Sequence, residues 1–234
     1  MEDTIVALAT AVGEASIHVL RLSGPQAEDI VDKIFVPRNL KRWQERKGYT
    51  LYLGKICDGD QVLDEVLVSR MYAPSSFTGE DVLEISCHGG ILVARRILEL
   101  CLRHGARLAE PGEFTKRAFL NGKLDLVQAE AVIDLITAKT DLAADLALDQ
   151  LSGVVSERIN EIRKRILEVL AFIEARIDFP EDVVEELNRM ELKARIEAVR
   201  NSLEHLLQGT KTGKVIREGL HTVIAGRPNV GKSS

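Results

Sequence analysis

Residues 81–105 read DVLEISCHGG ILVARRILEL CLRHG. We interpret residues 81–88 as a β-strand that is followed by two glycines, and residues 91–104 as a helix. Gly105 stands just after that helix, where a residue in the left-handed conformation commonly ends a helix. A strand joined to a helix in this way indicates a domain that contains both kinds of element.

Four other segments of the first half are predicted strands: Thr4–Ala9, Ser16–Leu22, Gly48–Ile56 and Gln61–Tyr72. The first two are short and rich in β-branched residues. Ser23-Gly24-Pro25 offers an N-cap residue with a proline close behind it, which predicts a helix that runs through Ile34 and Phe35. Strands in this order with only two or three helices predict a mixed α+β sheet domain, not a regular doubly wound fold.

Glycine and proline divide the chain. Residues 1–123 hold 11 of the 17 glycines and 4 of the 6 prolines, whereas residues 124–208 hold only Gly153 and Pro180. These residues interrupt regular structure, so the second half is predicted to be helical.

Three long helices are predicted after residue 124. One runs from Leu126 to Gly153 with at most a kink, and a third runs from Asp182 or slightly later to Leu207. The middle helix carries an apolar stripe at spacings of three and four residues: Val155, Ile159, Ile162, Ile166, Val169, Ile173 and Ile177. Helices with single stripes bury them against one another, which predicts an antiparallel bundle. Such a bundle can serve as a scaffold without chemistry of its own.

The last residues contain a phosphate-binding motif. A β-branched run, His221–Ala225, leads into GRPNVGKS at residues 226–233, which fits the pattern G-x-x-x-x-G-K-[ST]. In this pattern backbone N–H groups surround the phosphates, Lys232 contacts the β and γ oxygens, and the Ser233 hydroxyl can ligate Mg²⁺. The motif predicts the start of a nucleotide-binding domain. The helix and the further motifs that such a domain needs would follow Ser234.

Composition bounds the class of protein. The net charge is -5 over 234 residues, so any contact with RNA must come from a local patch or from another part of the protein. The apolar runs are far shorter than the ~20 residues of a membrane span, and Met1-Glu-Asp is unlike the basic start of a signal peptide. We therefore expect a soluble, cytoplasmic protein. Cys57, Cys87 and Cys101 form no C-x-x-C pair, so we expect neither a disulfide framework nor a structural zinc site.

Long motifs from Asp3 to the last residue resemble the MnmE (TrmE) family of tRNA modification GTPases. They are DTIVALAT at 3–10, LRLSG at 20–24, SFTGEDVLE at 76–84, HGG at 88–90, EPGEFT at 110–115, RAFLNGKLDL at 117–126, QAEAV at 128–132 and GRPNVGKSS at 226–234. The resemblance implies three parts. Residues 1–118 would be a tetrahydrofolate-binding and dimerisation domain like that of the glycine-cleavage T-protein, residues 119–217 the first part of a helical domain, and residues 218–234 the start of a truncated Ras-like G domain.

The resemblance also implies binding residues. Arg21, Glu84 and Lys123 match the positions that the family uses for 5-formyltetrahydrofolate or a related folate. A carboxylate can accept the paired N–H groups of a pterin, and the anionic glutamyl tail attracts Arg or Lys. From the residues alone, the favoured interpretation is that Arg21 and Glu84 are ordinary polar strand residues and Lys123 a solvated lysine; the resemblance reverses this. His88 is a weaker candidate, since a histidine at a strand end is more often hydrogen-bonded than catalytic.

For the nucleotide, the resemblance implies GTP binding by Asn229, Val230, Gly231, Lys232, Ser233 and Ser234. Asn229 would ligate K⁺ and Ser233 would ligate Mg²⁺. The cysteines lie in the wrong domain to replace the family's C-terminal cysteine, so no catalytic residue is carried over.

The activity that the resemblance implies is modification of the 5 position of the wobble uridine of certain tRNAs, with a folate one-carbon derivative and GTP hydrolysis. The partners would be a second copy of the chain and the FAD protein MnmG (GidA), in a heterotetramer. The 234-residue chain alone is expected to be inactive as a GTPase. Two alternatives stay open: a non-catalytic dimeric folate-binding scaffold, and a one-carbon transferase of the glycine-cleavage type, against which the P-loop speaks.

Overall fold

The computed structural model describes residues 3–178 and 185–208, together with residues 213, 216, 223, 225 and 226. The chain divides into two compact units, Met1–Ala129 and Glu130–Ser234. Each unit is described by itself.

In the first unit, the described residues 3–129 form seven strands and four complete helices. In chain order they are β1 (Ile5–Leu8), β2 (Ile17–Ser23), α1 (Ala27–Ile34), β3 (Phe35–Pro37), α2 (Leu40–Gln44), β4 (Thr50–Asp58), β5 (Gln61–Met71), β6 (Val82–His88), α3 (Ile91–Arg103), β7 (Arg107–Leu108) and α4 (Glu113–Leu120). The five predicted strands and the helix at 91–104 are confirmed to within two residues. The short elements β3, α2, β7 and α4 were not predicted. With α2 and α4, the number of helices exceeds the expected two or three.

The strands form one mixed sheet in the order β3-β4-β5-β6-β2-β1-β7. All neighbouring pairs are antiparallel except β1 and β7, which run parallel. The prediction of a mixed α+β sheet is therefore confirmed. Leu20 and Leu22 of β2, and Leu83 and Ile85 of β6, are fully buried in the core that α1 and α3 cover. Successive residues of a strand point to opposite faces, so the alternate residues of these strands lie on the other face of the sheet.

The end of α3 confirms the role that the sequence assigns to Gly105. Gly105 has a φ of +109° and its N–H donates to the carbonyl of Leu102, while the N–H of Ala106 donates to the carbonyl of Cys101. These two bonds make a Schellman motif, which satisfies carbonyls that the end of a helix leaves without partners.

The start of α1 corrects the sequence prediction. Gln26 is the N-cap residue and the helix begins at Ala27, so Ser23 is not the cap. Ser23 is the last residue of β2, and its hydroxyl lies 2.7 Å from both the Thr78 hydroxyl and a carboxylate oxygen of Glu80. The serine therefore serves a tertiary contact, and local capping statistics could not reveal that.

Gly89 is expected to be intolerant of a side chain. A Cβ at this position would lie 1.9 Å from the carbonyl oxygen of Ala15, whose segment is hydrogen-bonded to Gly89. We expect Gly89→Ala to lower the free energy of unfolding by about 2–3 kcal/mol, because backbone must move to relieve the overlap. Urea unfolding followed by fluorescence of Trp43, the single and buried tryptophan, measures it. Gly90→Ala is the control, since a Cβ there has no heavy atom closer than 3.7 Å. Equal losses in both variants would contradict the prediction.

The described part of the second unit is mainly helical. Its helices are α5 (Leu126–Thr137), which begins in the first unit, α6 (Asp141–Leu151), α7 (Val154–Asp178) and α8 (Glu185–Gln208). The predicted continuous helix from Leu126 to Gly153 is wrong, because the chain breaks into α5 and α6. Thr140 is extended at the break and its hydroxyl accepts a hydrogen bond from the N–H of Ala143, which makes it the N-cap of a new helix.

Two contacts show that α7 and α8 run antiparallel. Arg165 of α7 donates to the Ser202 hydroxyl of α8, and the Arg195 guanidinium lies 4.7 Å from the centre of the Phe172 ring. From Arg165 to Phe172 the chain advances seven residues along α7, while their partners on α8, Ser202 and Arg195, go back by seven residues. The predicted antiparallel packing is confirmed for this pair. The apolar stripe is only partly covered: Ile162 is buried, but Ile177 is 72% exposed.

Some predictions fall on residues outside the described ones. These are a start of the third helix at Asp182, most of the strand His221–Ala225, and the phosphate-binding residues from Arg227 onward. Within the described ranges, no helix combines the length and the apolarity that a membrane crossing requires.

Candidate functional site

Two of the predicted binding residues meet on the sheet face that α1 and α3 leave open. Arg21 of β2 and Glu84 of β6 are direct cross-strand partners, and Arg21 Nε donates to Glu84 Oε1 at 2.8 Å. Their side chains are 28% and 25% exposed, so both remain reachable from solvent. An ion pair this accessible contributes little to stability, which leaves its groups free to serve recognition.

Two aromatic rings flank Arg21. The guanidinium carbon lies 5.3 Å from the centre of the Phe77 ring and 5.7 Å from that of Phe114. Both distances are within the range of cation–π attraction. The rings and the bond to Glu84 therefore hold the guanidinium in place before any ligand arrives.

Lys123 lies in the loop after α4, where it borders the segment that carries Phe77. Its ammonium donates to the carbonyl of Pro74 at 3.1 Å, and the neighbouring Asn121 amide donates to the carbonyl of Thr78 at 2.7 Å. Arg21 and Lys123 thus both contact the segment 74–79, from different elements. Of the three predicted folate residues, Arg21 and Lys123 contact the segment 74–79 directly, and Glu84 is bonded to Arg21.

Ser69 adds a polar atom to this face. It is the cross-strand partner of Glu84 on β5, and its hydroxyl oxygen is buried without a hydrogen bond to any described residue. A buried hydroxyl without a partner costs stability unless something binds it. Together, Ser69, Glu84 and Arg21 form a polar row across three adjacent strands.

A buried cation supports the loop from behind. Arg117 of α4 is fully buried and bonds to Asp3, Glu80 and Glu113. The same Glu113 carboxylate accepts hydrogen bonds from Arg107 and from the N–H of Glu110, and these donors together with Arg117 lower its pKa to about 2. The cluster ties the N-terminal segment, the 76–80 loop and α4 to one another.

His88 is hydrogen-bonded at the end of β6. Its ring Nδ1 lies 2.6 Å from Asp64 Oδ1, and its backbone N–H donates to Asp64 Oδ2 at 2.8 Å. This matches the reading of His88 as a hydrogen-bonded residue at a strand end, and no described contact joins it to Arg21 or Glu84.

The cysteines are free thiols, and burial raises the pKa of Cys87 to about 11 and that of Cys101 to about 12. Both are therefore protonated and unreactive near neutral pH. Among the described residues, no group of three or more His, Cys, Asp or Glu side chains is placed to hold a metal ion. The predicted GTP and metal ligands from Asn229 to Ser234 lie outside the described part.

Two family models match the chain. Residues 4–123 match the model described as the N-terminus of the GTP-binding protein TrmE, and residues 126–229 match the MnmE helical domain. The chain belongs to the MnmE family. The motifs that indicated the resemblance include Phe77 and Phe114, which the sequence analysis did not single out. Ser69 and Arg117 were not predicted either, because the position of Ser69 beside Glu84 and the ion pairs of Arg117 depend on the tertiary structure.

Curated MnmE relatives align along the whole chain. Proteins named tRNA modification GTPase MnmE are 61% identical in Desulfitobacterium hafniense (strain Y51) over 234 residues, and 52% identical in Bacillus subtilis (strain 168) over 235 residues. These alignments cover 100% and 99% of this chain but 51% of each relative. The chain thus spans about half the length of the curated MnmE relatives it matches.

Proposed function

We propose that the first unit binds a tetrahydrofolate derivative such as 5-formyltetrahydrofolate at Arg21, Glu84 and Lys123. The observation that carries this proposal is the Arg21–Glu84 pair on an open sheet face, flanked by Phe77 and Phe114. When bound, the folate would supply a one-carbon unit. The activity to which it contributes would be modification of the 5 position of the wobble uridine in certain tRNAs.

The residues present fit such a ligand. Arg21 occupies Oε1 of Glu84, and a carboxylate has about four acceptor positions, so Glu84 retains capacity for the paired N–H groups of a pterin edge. The Ser69 hydroxyl on the neighbouring strand has no hydrogen-bond partner among the described residues. Arg21 and Lys123 supply positive charge for the anionic glutamyl tail.

Replacing Glu84 tests this assignment. We expect Glu84→Ala to weaken binding of 5-formyltetrahydrofolate by about 1.5–3 kcal/mol, roughly 10- to 150-fold, because a charge-assisted acceptor is lost. Arg21→Ala should have a smaller effect if Arg21 contacts the mobile tail. Isothermal titration calorimetry measures both.

The matched control is Glu65→Ala, which removes an exposed carboxylate from β5. Unchanged affinity in Glu84→Ala would rule out Glu84 as the pterin acceptor. A comparable loss in Glu65→Ala would show that the effect is one of overall charge.

For the whole protein we propose GTP hydrolysis in a G domain whose first residues, 218–234, contain the P-loop. The motif at residues 226–233 supports this role, as do the names of the relatives. Asn229–Ser234 would hold the nucleotide, with Asn229 as a K⁺ ligand and Ser233 as the Mg²⁺ ligand. The cytoplasmic complex would include tRNA and the FAD protein MnmG.

We also propose that a second copy of the chain pairs with the open face of the sheet. Leu51 and Leu53 of β4, Leu67 of β5 and Ile17 of β2 are 36–60% exposed, and Leu53 lies directly opposite Leu67. Exposed apolar patches of this kind commonly mark an interface, and two-fold pairing is the commonest arrangement. A homodimer formed here would enclose the row that contains Arg21 and Glu84.

A further inference from the structure

The first unit also carries a cluster of cations on and beside α2. Five of the ten residues 38–47 are Lys or Arg, and Glu45 is the one acidic residue among them. All five cationic side chains are exposed. A chain with a net charge of -5 therefore has a local positive patch.

Three of these cations are not neutralised. Arg46 pairs with Glu28 and Asp32, and Lys47 pairs with Glu45. Among the residues that the structure describes, no carboxylate lies within ion-pair distance of the remaining three cations, which are Arg38, Lys41 and Arg42. Like charges this close repel one another, so a bound polyanion would relieve a repulsion that the free protein carries.

The cluster stands on a rigid base. Trp43 of α2 is 5% exposed, and its ring centre lies 4.9 Å from that of Tyr52. The buried Arg70 donates to the carbonyl of Trp43 at 2.7 Å, while the Asn39 side chain caps the helix by accepting from the N–H of Arg42. These contacts hold the backbone that carries Lys41 and Arg42 against the core.

The two arginines with no described ion pair, Arg38 and Arg42, border one pocket. They line this pocket of about 360 Å³ together with Asn39, Leu51 and Leu53. Leu51 and Leu53 also belong to the sheet face proposed above for dimerisation, so a second copy bound there would adjoin the two arginines. The planar fork of a guanidinium matches the oxygens of a phosphate, and two such groups at one pocket favour a phosphate over an isolated carboxylate.

We propose that Arg38, Lys41 and Arg42 form a contact surface for the phosphate backbone of tRNA. This inference rests on the proposed function, which makes tRNA the polyanion that the protein meets. The cations lie on other elements than Arg21, Glu84 and Lys123, so the surface is additional to the folate site. Contacts to phosphates position an RNA without reading its bases.

The test compares two triple variants of the 234-residue chain with the wild type. The first, Arg38→Gln/Lys41→Gln/Arg42→Gln, removes the patch. The second, Lys33→Gln/Arg96→Gln/Lys116→Gln, removes the same charge from exposed positions elsewhere in the first unit. Fluorescence anisotropy with labelled tRNA at several KCl concentrations gives the affinity and its dependence on salt.

We expect the first variant to bind tRNA roughly tenfold more weakly at low salt. The slope of log K against log[KCl] should fall in magnitude by about 2, because each phosphate contact contributes about 0.7–0.9. The second variant should retain the slope of the wild type. Light scattering on all three proteins excludes a change of oligomeric state as the cause.

Two results would overturn the inference. If both triple variants bind tRNA equally well, the patch does not contact tRNA, and an acidic protein surface becomes the better candidate partner. If the wild type does not bind tRNA at all, RNA is not the ligand of the patch. Titration of the same samples with 5-formyltetrahydrofolate tests the proposed function separately. Normal folate binding with unchanged tRNA binding refutes the RNA surface alone.

Discussion

Replacing Arg117 with alanine is expected to lower the free energy of unfolding of the first unit by about 3–5 kcal/mol. The Arg117 guanidinium is fully buried, and its nitrogens lie 2.8, 3.1 and 3.2 Å from carboxylate oxygens of Asp3, Glu80 and Glu113. Without this cation, the Glu113 and Glu80 carboxylates, which are 7% and 11% exposed, lose a positive charge that offsets their mutual repulsion. Removing one partner of a buried pair costs more than the pair itself contributes.

Urea unfolding followed by Trp43 fluorescence reports on the first unit. Arg103→Ala is the control, because its ion pair with Asp58 is 59% and 39% exposed and should contribute little to stability. A loss in Arg117→Ala no larger than that of the control would mean that the Arg117 cluster is well solvated. Arg117→Lys, which keeps the charge but not the fork of donors, should fall between the two.

The Arg117 cluster also connects stability to the candidate site. Glu80 accepts from both Arg117 and the hydroxyl of Ser23, and Ser23 in turn bonds to Thr78. Phe77, which flanks Arg21, is the neighbour of Thr78 in the same loop. We therefore expect Arg117 to act as a positioning residue, since loosening the loop would misplace Phe77 without touching the ligand.

Short sequence patterns correctly predicted the elements whose structure depends mainly on neighbouring residues. The strands at 17–23 and 82–88 follow from their runs of apolar and β-branched residues, and Gly105 ends α3 because a positive φ is needed there. The break between α5 and α6 was missed although Thr140 is a good N-cap residue. The apolar periodicity continues across the break and conceals it.

Tertiary pairing accounts for what the sequence could not show. Arg21 and Glu84 are 63 residues apart, and only the register of β2 against β6 makes them neighbours. Their selection came from resemblance to a family, not from their chemistry. The burial of Ser69 and the three acidic partners of Arg117 likewise depend on how distant segments pack, which no window of the sequence contains.

The stability of the first unit should decline in acid because of Glu113. Its pKa is lowered from 4.5 to about 2, first by the hydrogen bond from Arg107 and further by the Glu110 N–H and Arg117. A carboxyl whose folded pKa lies below its unfolded value stabilises the fold fully above the unfolded pKa. That contribution is lost as the pH falls through the folded pKa, here between about pH 5 and pH 2.

Glu113→Gln isolates this contribution, because glutamine resembles the protonated acid in shape. The variant should be less stable than the wild type by about 3 kcal/mol at pH 7, since each unit of pKa shift corresponds to about 1.4 kcal/mol. At pH 2 the difference should shrink to less than about 1 kcal/mol, as the wild-type carboxyl itself becomes protonated. Urea unfolding of both proteins at a series of pH values, followed by Trp43 fluorescence, measures the difference. A gap that stays constant from pH 7 to pH 2 would mean that Glu113 acts through packing and not through its charge.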